Sequence, residues 1–210
     1  MVISINETIK TIHARHSVRN FQDRPVAAEL IDTVLTAANL APSAHNQQSW
    51  RFFVITGLTK KKLAELVSGK APDFSRSAAV LLRMAARSIA EAPVVIAVAN
   101  TGELMDHGMK LFSDDFKIYG ASNLMMLYDS FRTLEIQSSA AAVQNLLLAA
   151  TSYGLGAVWL GILYLIKNDI LALLGEPNGE FMAVVPVGYP GRESKGPSKK
   201  PLETIVKYHS

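Results

Sequence analysis

The run Pro93-Val94-Val95-Ile96-Ala97-Val98-Ala99 decides the fold class of this 210-residue chain. A continuous apolar run of this length predicts a strand buried at the centre of a sheet. The run Trp50-Arg51-Phe52-Phe53-Val54-Ile55, rich in aromatic and β-branched residues, predicts a second strand. Two further strands are predicted at residues 157–160 and 181–187. Since helical patterns separate most of these strands, the sequence predicts an α+β domain.

Helices are predicted before, between and after the strands. The first begins after Ser4 or Asn6, because either side chain can accept a hydrogen bond from the free N–H groups of a helix start. Its apolar face is Ile5, Ile9 and Ile12, at the spacing of one helix face. The other predicted helices span residues 25–41, where Pro25 opens the helix and Pro42 ends it, then 59–67, 75–90, 136–153 and 168–174, the last capped by Asn168.

One segment, residues 101–132, has no regular period. It is rich in aromatic residues and methionine, side chains that can stack on planar molecules. We therefore expect a variable lid in which Phe112 and Phe116 contact the substrate. The pair Met125-Met126 is expected to pack in the core, with a soft substrate wall as the alternative.

Composition excludes several classes of protein. The chain has no cysteine, which excludes disulfides, thiolate metal sites and thiol nucleophiles. Its histidines lack partners at metal-ligand spacing, so no metal site is expected. The net charge is only +3, and the cluster Lys60-Lys61-Lys62 is expected to be a solvated helix turn, so no nucleic-acid partner is predicted. Without a secretory signal or an apolar run long enough to cross a bilayer, a cytoplasmic protein with no membrane contact is expected.

The first motif that carries chemistry is Arg15-His16-Ser17-Val18-Arg19. A guanidinium presents a planar donor fork that matches phosphate oxygens, and a serine hydroxyl adds a short donor. In an extended segment, Arg15, Ser17 and Arg19 point to the same side. The motif therefore indicates a phosphate-binding cradle, and a solvated charged turn is the alternative.

Two further motifs could surround a planar ligand. The loop Pro42-Ser43-Ala44-His45-Asn46-Gln47-Gln48 is rich in amides and offers donors and acceptors at its end before Trp50. The stretch Gly154-Leu155-Gly156, followed by Trp159-Leu160-Gly161, permits tight turns and close backbone approach. Neither forms the GxGxxG fingerprint of a dinucleotide-binding βαβ unit. A polar turn entering a strand remains the alternative for the first of them.

A fourth motif lies in the tail. Residues 189–210 are predicted to form an extended C-terminal arm that completes a single domain spanning 1–210. The arm contains Pro197-Ser198-Lys199-Lys200-Pro201. A lone pair of lysines is usually solvated, so this motif gains meaning only together with the other three.

In this order and spacing, the four motifs resemble the nitroreductase family of FMN enzymes, over nearly the whole chain from Arg15 to about Val206. The resemblance implies a central, mainly antiparallel sheet flanked by helices, and a homodimer with FMN at its interface. It also implies that the first motif and the tail hold the FMN phosphate, that the loop after Pro42 reaches the flavin of the other subunit, and that a backbone donor near Gly161 reaches flavin N5. The implied cofactor-binding residues are Arg15, His16, Ser17, Arg19, Pro42, Ser43, Ala44, Asn46, Leu160, Gly161, Lys199 and Lys200.

The resemblance further implies the reaction. A cofactor carries the chemistry while the protein binds and orients, so no catalytic side chain is expected. Hydride would pass from NADH or NADPH through flavin N5 to an electrophilic small-molecule acceptor, such as a nitroaromatic or a quinone, with both substrates using one site in turn. Reductive dehalogenation or oxygen-dependent flavin breakdown is the alternative within the family. A non-catalytic module that binds flavin or another phosphate ligand is the alternative outside it.

Overall fold

The computed structural model describes residues 5–104, 106, 110 and 121–209. Helices and strands alternate along the chain as the sequence predicts. The helices are α1 Glu7–Ala14, α2 Ala28–Asn39, α3 Gly57–Lys70, α4 Arg76–Glu91, α5 Ala121–Ser152 and α6 Lys167–Leu173. The strands are β1 Trp50–Ile55, β2 Val94–Asn100, β3 Gly156–Ala157 and β4 Glu180–Gly188, and short 3-10 turns occupy Ala44–Asn46, Ala71–Asp73, Gly161–Ile166 and Leu202–Thr204.

The strands form one antiparallel sheet in the order β1-β2-β4-β3. At one end of the sheet, Trp50 pairs with Asn100, which pairs in turn with Glu180. Near the other end, Ala157 of β3 pairs with Val187 of β4. The α+β class and the central antiparallel sheet agree with the expectation from the sequence, and so does the buried run of β2.

Both faces of the sheet are covered, which explains why β2 is buried along its whole length. Helices α3, α4 and α6 pack on one face together with the 3-10 turn after Leu160. Helices α2 and α5 pack on the other face. The sheet is therefore the middle layer of three, and residues at its edges and ends remain available for a site.

Helix α5 is longer than expected, since it begins at Ala121 rather than at Ile136. Residues 125–130 of this helix are mostly exposed, so they show no buried apolar stripe that would mark the helix in the sequence. Met125 and Met126 are 69% and 61% exposed, so the expectation that they pack in the core was wrong. The predicted lid segment therefore ends in helix, and Phe112 and Phe116 lie outside the described residues.

Other boundaries were also misplaced. Helix α2 begins at Ala28, so Pro25 lies in the extended segment before it, and Asn168 lies inside α6 rather than capping it. The strand expected at 157–160 ends at Ala157. The next residue, Val158, faces Pro186 and donates to its carbonyl at 3.4 Å. Because proline has no N–H to donate back to Val158, the regular strand pairing ends at this point.

Lys60 has a structural role, so the expected solvated lysine turn is only partly correct. Its ammonium donates hydrogen bonds to the carbonyl oxygens of Ala90 and Ala92, at 3.3 and 2.5 Å. These carbonyls belong to the end of α4, where the helix leaves acceptors free and a positive charge is favoured. Lys61 and Lys62 are exposed.

The described helices include none with the length and apolar content needed to cross a bilayer.

Candidate functional site

The segment from Arg15 to Arg19 is extended and attached to the end of the sheet. Ser17 pairs with Ala157 as a parallel bridge, and the Val18 N–H donates to the Ala157 carbonyl at 3.0 Å. Val18 is buried while Ser17 and Arg19 are exposed, as alternation along an extended chain requires. The approach is possible because Gly156 has no side chain: a Cβ there would lie 2.7 Å from the Val18 side chain.

Ser17 and Arg19 line a cleft of about 690 Å³. Helix α4 forms the facing wall, with Arg87 and Ser88 directed to the cleft. The Ser88 hydroxyl donates to the Arg19 carbonyl at 3.2 Å, which ties the first motif to this helix. The beginning of the C-terminal arm closes the third side through Arg192, Ser194, Lys195, Gly196 and Pro197.

The cleft is strongly cationic, since Arg19, Arg87, Arg192 and Lys195 all line it. Arg87 donates to the Glu91 carboxylate at 2.6 Å, and this hydrogen bond and charge raise the pKa of Arg87. Guanidinium and hydroxyl donors around one cavity are the groups that bind phosphate oxygens in proteins. The arrangement is therefore suited to a phosphate monoester.

His16 holds the arm against the first motif. Its Nδ1 lies 2.9 Å from the Ala14 carbonyl, and its Nε2 lies 2.8 Å from the Ser194 hydroxyl. In the neutral ring, Nδ1–H must donate to the carbonyl, so Nε2 accepts from Ser194. Gly196 passes close by, where an added Cβ would lie 3.0 Å from the His16 Cβ. His16 thus positions the arm residues that line the cleft.

An apolar slot adjoins the cationic cleft, and Arg19 and Met84 line both. Leu81 and Ala85 of α4 face the segment 159–162 across this slot. Leu160 is held by its N–H, which donates to the Val184 carbonyl at 3.0 Å. A Cβ added at Gly161 would meet nothing within 4 Å, so the surface above this residue is open. The slot can accept the edge of a flat apolar ring.

The loop after Pro42 has a strained backbone. His45, Asn46 and Gln48 have φ of 52°, 55° and 52°, which non-glycine residues rarely adopt. Two hydrogen bonds fix the loop: the Ala44 N–H donates to the Ser138 hydroxyl and the Gln48 N–H donates to the Ser43 hydroxyl, each at 3.1 Å. A strained backbone of this kind persists only where the surrounding structure fixes it, and such residues cluster at functional sites. Asn46 itself is exposed at the surface of the loop.

This loop and the cationic cleft lie at opposite ends of the sheet. The loop precedes Trp50, which aligns with Glu180 through Asn100, whereas Ser17 lies beside Ala157, which aligns with Val187. From Glu180 to Val187 a strand extends about 23 Å at 3.3 Å per residue. The cleft wall accordingly includes none of the four loop residues expected at the cofactor, namely Pro42, Ser43, Ala44 and Asn46.

The structure therefore brings together only part of the expected set. Arg15 caps the C-terminal end of α1 and does not line the cleft. Lys199 and Lys200 do not line it either, because they lie exposed farther along the arm. Sequence reasoning missed Arg87, Arg192 and Lys195. Arg87 is one polar residue on an amphipathic helix and carries no local signal, although the basic cluster from Lys195 to Lys200 could have indicated the arm's earlier residues.

Comparison with known proteins gives the class. The model of the nitroreductase family matches residues 12–189. A protein of Methanothermobacter thermautotrophicus described as an NADH dehydrogenase/NAD(P)H nitroreductase is 31% identical over 191 residues, 90% of this chain and 80% of its own length. An FMN reductase [NAD(P)H] of Bacillus subtilis is 26% identical over 203 residues, 96% of this chain and 73% of its own length.

A solved structure shows the same fold. A protein of Desulfovibrio desulfuricans described as a nitroreductase, crystallised in complex with FMN, superposes with a TM-score of 0.72 at 26% identity, over 99% of both chains. The fold, the phosphate-suited cleft and the family match agree with one another. The chain belongs to the nitroreductase family, as its sequence motifs suggested.

Proposed function

We propose that the protein is an FMN-dependent oxidoreductase that uses NADH or NADPH to reduce an electrophilic small molecule. The observation that carries the proposal is that a cationic cleft lies beside an apolar slot, with Arg19 and Met84 lining both. FMN has the matching shape, with a phosphate dianion at one end and a planar ring at the other. Family membership and the FMN-bound structural relative support the same cofactor.

The residues of the cleft would hold the phosphate end. Ser17 and Arg19 offer a hydroxyl and a guanidinium from the extended segment, and Arg87, Arg192 and Lys195 add positive charge. Charge-assisted hydrogen bonds of this kind are roughly twice as strong as neutral ones. Arg15 and the arm residues Lys199 and Lys200 would contribute from the periphery, and His16 would keep the arm in place through Ser194.

The slot would hold the ring end. Leu160 and Gly161 would form the floor, and the open surface above Gly161 leaves room for a second planar molecule stacked on the ring. When bound, FMN would supply a two-electron carrier between the nicotinamide and an acceptor such as a nitroaromatic or a quinone. The protein's part is to orient the ring, to exclude water from its buried face and to admit donor and acceptor in turn. Phe112 and Phe116 remain candidates for acceptor contact.

A second copy of the chain would complete the site. The apolar slot encloses only about 180 Å³, less than the roughly 300 Å³ at which ligand pockets usually begin. The strained loop after Pro42 is a suitable missing wall, but it lies too far from the cleft of its own chain to reach the same ring. Ile9 and Ile12 of helix α1 and Ile5 just before it are all exposed, which supports a partner surface.

The test uses the purified full-length chain. Its visible spectrum should be that of a flavin, and heat release followed by chromatography should yield FMN. Adding NADH or NADPH without oxygen should bleach the flavin, and an added quinone or nitroaromatic should restore it. Recovery of FAD, or no flavin even after reconstitution, would contradict the proposal. Bound FMN without NAD(P)H oxidation would favour a non-catalytic module, and flavin fragments under air would favour a specialised reaction.

A further inference from the structure

The outward face of α4 carries a basic stripe that extends beyond the cofactor cleft. Arg76 and Arg83 are seven residues apart, which places them on the same side of the helix two turns apart. Arg87 follows one turn later on the same side and lines the cationic cleft. The basic stripe therefore begins at the cationic cleft with Arg87 and continues away from the cleft along α4 to Arg83 and Arg76.

Apolar residues are interleaved with these arginines. Val80, Leu81 and Met84 are 45%, 48% and 49% exposed, and the latter two line the apolar slot. A helix face that only meets water would carry polar residues at such positions. In the described part of the chain, the guanidinium groups of Arg76 and Arg83 make no hydrogen bond or ion pair, and both residues are exposed. Exposed arginines alternating with apolar side chains suit a ligand with phosphates and flat rings.

We propose that this stripe binds the phosphates of NADPH, with Arg83 at the pyrophosphate and Arg76 at the 2′-phosphate of the adenosine ribose. This assignment rests on the proposed function, since it takes the nicotinamide to stack on a ring held beside Gly161. Going outward from the nicotinamide, the pyrophosphate comes first and the 2′-phosphate afterwards. Arg83 lies next to the slot residue Met84, and Arg76 lies about 10 Å farther along the helix at 1.5 Å per residue. The order of the cations matches the order of the phosphates.

The consequence is a preference for NADPH over NADH. NADH lacks the 2′-phosphate, so the guanidinium of Arg76 has nothing to bind in it. A hydrogen bond between charged partners contributes at least about a factor of ten in affinity when it is well formed, and salt screens it at an exposed site. We expect a preference of about tenfold at low ionic strength that falls as salt is added.

The experiment compares Arg76→Ala, Arg83→Ala and, as a control on α3, Lys62→Ala, all saturated with FMN. Arg76→Ala should raise KM for NADPH about tenfold and leave KM for NADH unchanged, and Arg76→Lys should restore part of the loss. Arg83→Ala should raise both KM values, and Lys62→Ala neither. Equal effects of Arg76→Ala on the two reductants, or no effect, would overturn the assignment.

A binding measurement without turnover separates this inference from the proposed function. Calorimetry with adenosine 2′,5′-bisphosphate and with 5′-AMP, which differ only in the 2′-phosphate, needs no redox reaction. The FMN-loaded parent should bind the bisphosphate more tightly, and Arg76→Ala should abolish the difference. If the loaded protein oxidises no NAD(P)H, the proposed function fails, yet the bisphosphate titration still decides whether Arg76 recognises the 2′-phosphate. Equal binding of both probes by parent and variant would refute it.

Discussion

Gly156 lies directly beneath Val18, and a Cβ added at Gly156 would approach both Cβ and Cγ1 of Val18 to 2.7 Å. This contact sets how closely the Arg15–Arg19 segment approaches the sheet, because Val18 is the residue that hydrogen-bonds to Ala157. The two residues flanking Val18, Ser17 and Arg19, line the cationic cleft. A packing contact between a glycine and a valine therefore positions the proposed phosphate-binding residues.

Gly156→Ala should weaken FMN binding by displacing this segment. The added methyl group cannot be accommodated without moving Val18, and overpacking of this kind costs about 1–3 kcal/mol. Fluorescence titration with FMN gives the affinity, and chemical denaturation gives the stability. The double variant Gly156→Ala/Val18→Gly should recover part of the FMN affinity, since it removes the Cβ and both Cγ atoms of Val18 that the new methyl group meets. Gly69→Ala, where the added Cβ meets nothing within 4 Å on α3, is the control, and it should leave the FMN affinity unchanged. Normal FMN affinity in Gly156→Ala would show that the segment does not hold the phosphate.

The fold was largely predictable because each main strand corresponds to a continuous apolar or β-branched run in the sequence. The apolar and β-branched run at Trp50–Ile55 coincides with β1, and the run from Pro93 differs from β2 by one residue at each end. Features that depend on a partner strand were not predictable. The early end of β3 follows from Pro186, which lies opposite only after folding. The early part of α5 was missed because its residues 125–130 are mostly exposed and so carry no apolar period.

The site was predictable only where its residues are neighbours in sequence. Arg15 to Arg19 form a recognisable motif because the donors of an extended segment recur every second residue. Arg87 joins Arg19 in one wall solely through the packing of α4 against the extended segment. The separation of the Pro42 loop from the cleft was equally hidden, since it follows from strand register across the sheet. Sequence patterns identify local donors, and the topology decides which of them meet.

Helix α1 should mediate dimerisation. Its described residues include no buried side chain, and an apolar stripe is normally covered. Ile9→Asp should give a monomer that keeps its helical circular dichroism but binds FMN poorly, because the second copy's loop is lost. Sedimentation at low protein concentration measures the mass, and Leu58→Asp, which changes another exposed apolar residue, is the control. A dimeric, flavin-bound Ile9→Asp protein would exclude α1 from the interface.

Lys60→Met should lower the free energy of unfolding by about 1 kcal/mol, because it removes hydrogen bonds to two carbonyl oxygens at the end of α4. Lys62→Met changes an exposed lysine on the same helix and should stay within about 0.5 kcal/mol of the parent. Denaturant titration with parallel slopes measures both. Equal stability of the two variants would indicate that the Lys60 contacts contribute nothing measurable.

Tyr164 should ionise at a lower pH than an ordinary tyrosine. Its hydroxyl accepts a hydrogen bond from the Lys167 ammonium at 3.0 Å, and this bond, followed by the lysine's charge, lowers the pKa of Tyr164. Because the unfolded pKa is the higher one, about 10, this group adds stability above that pH and loses its contribution as pH falls through the folded pKa. Ultraviolet titration of phenolate should show an early step that disappears in Tyr164→Phe and moves to higher pH in Lys167→Met. An unchanged titration in Lys167→Met would contradict the cause.

Arg19 gives the most direct test of the proposed cofactor site. A hydrogen bond from a guanidinium to a phosphate dianion contributes about 1.5–3 kcal/mol, so Arg19→Ala should weaken FMN binding roughly ten- to a hundredfold. Riboflavin has no phosphate, so it should bind the parent and the variant almost equally. Turnover should largely recover at saturating FMN, because a residue that only holds the phosphate makes no contact specific to the transition state. Arg19 also borders the apolar slot. A contact between Arg19 and the ring, in place of the phosphate, would give a different result. A several-hundredfold loss of turnover at saturating FMN, with riboflavin affinity also reduced, would place Arg19 at the ring and leave Ser17, Arg192 and Lys195 to hold the phosphate.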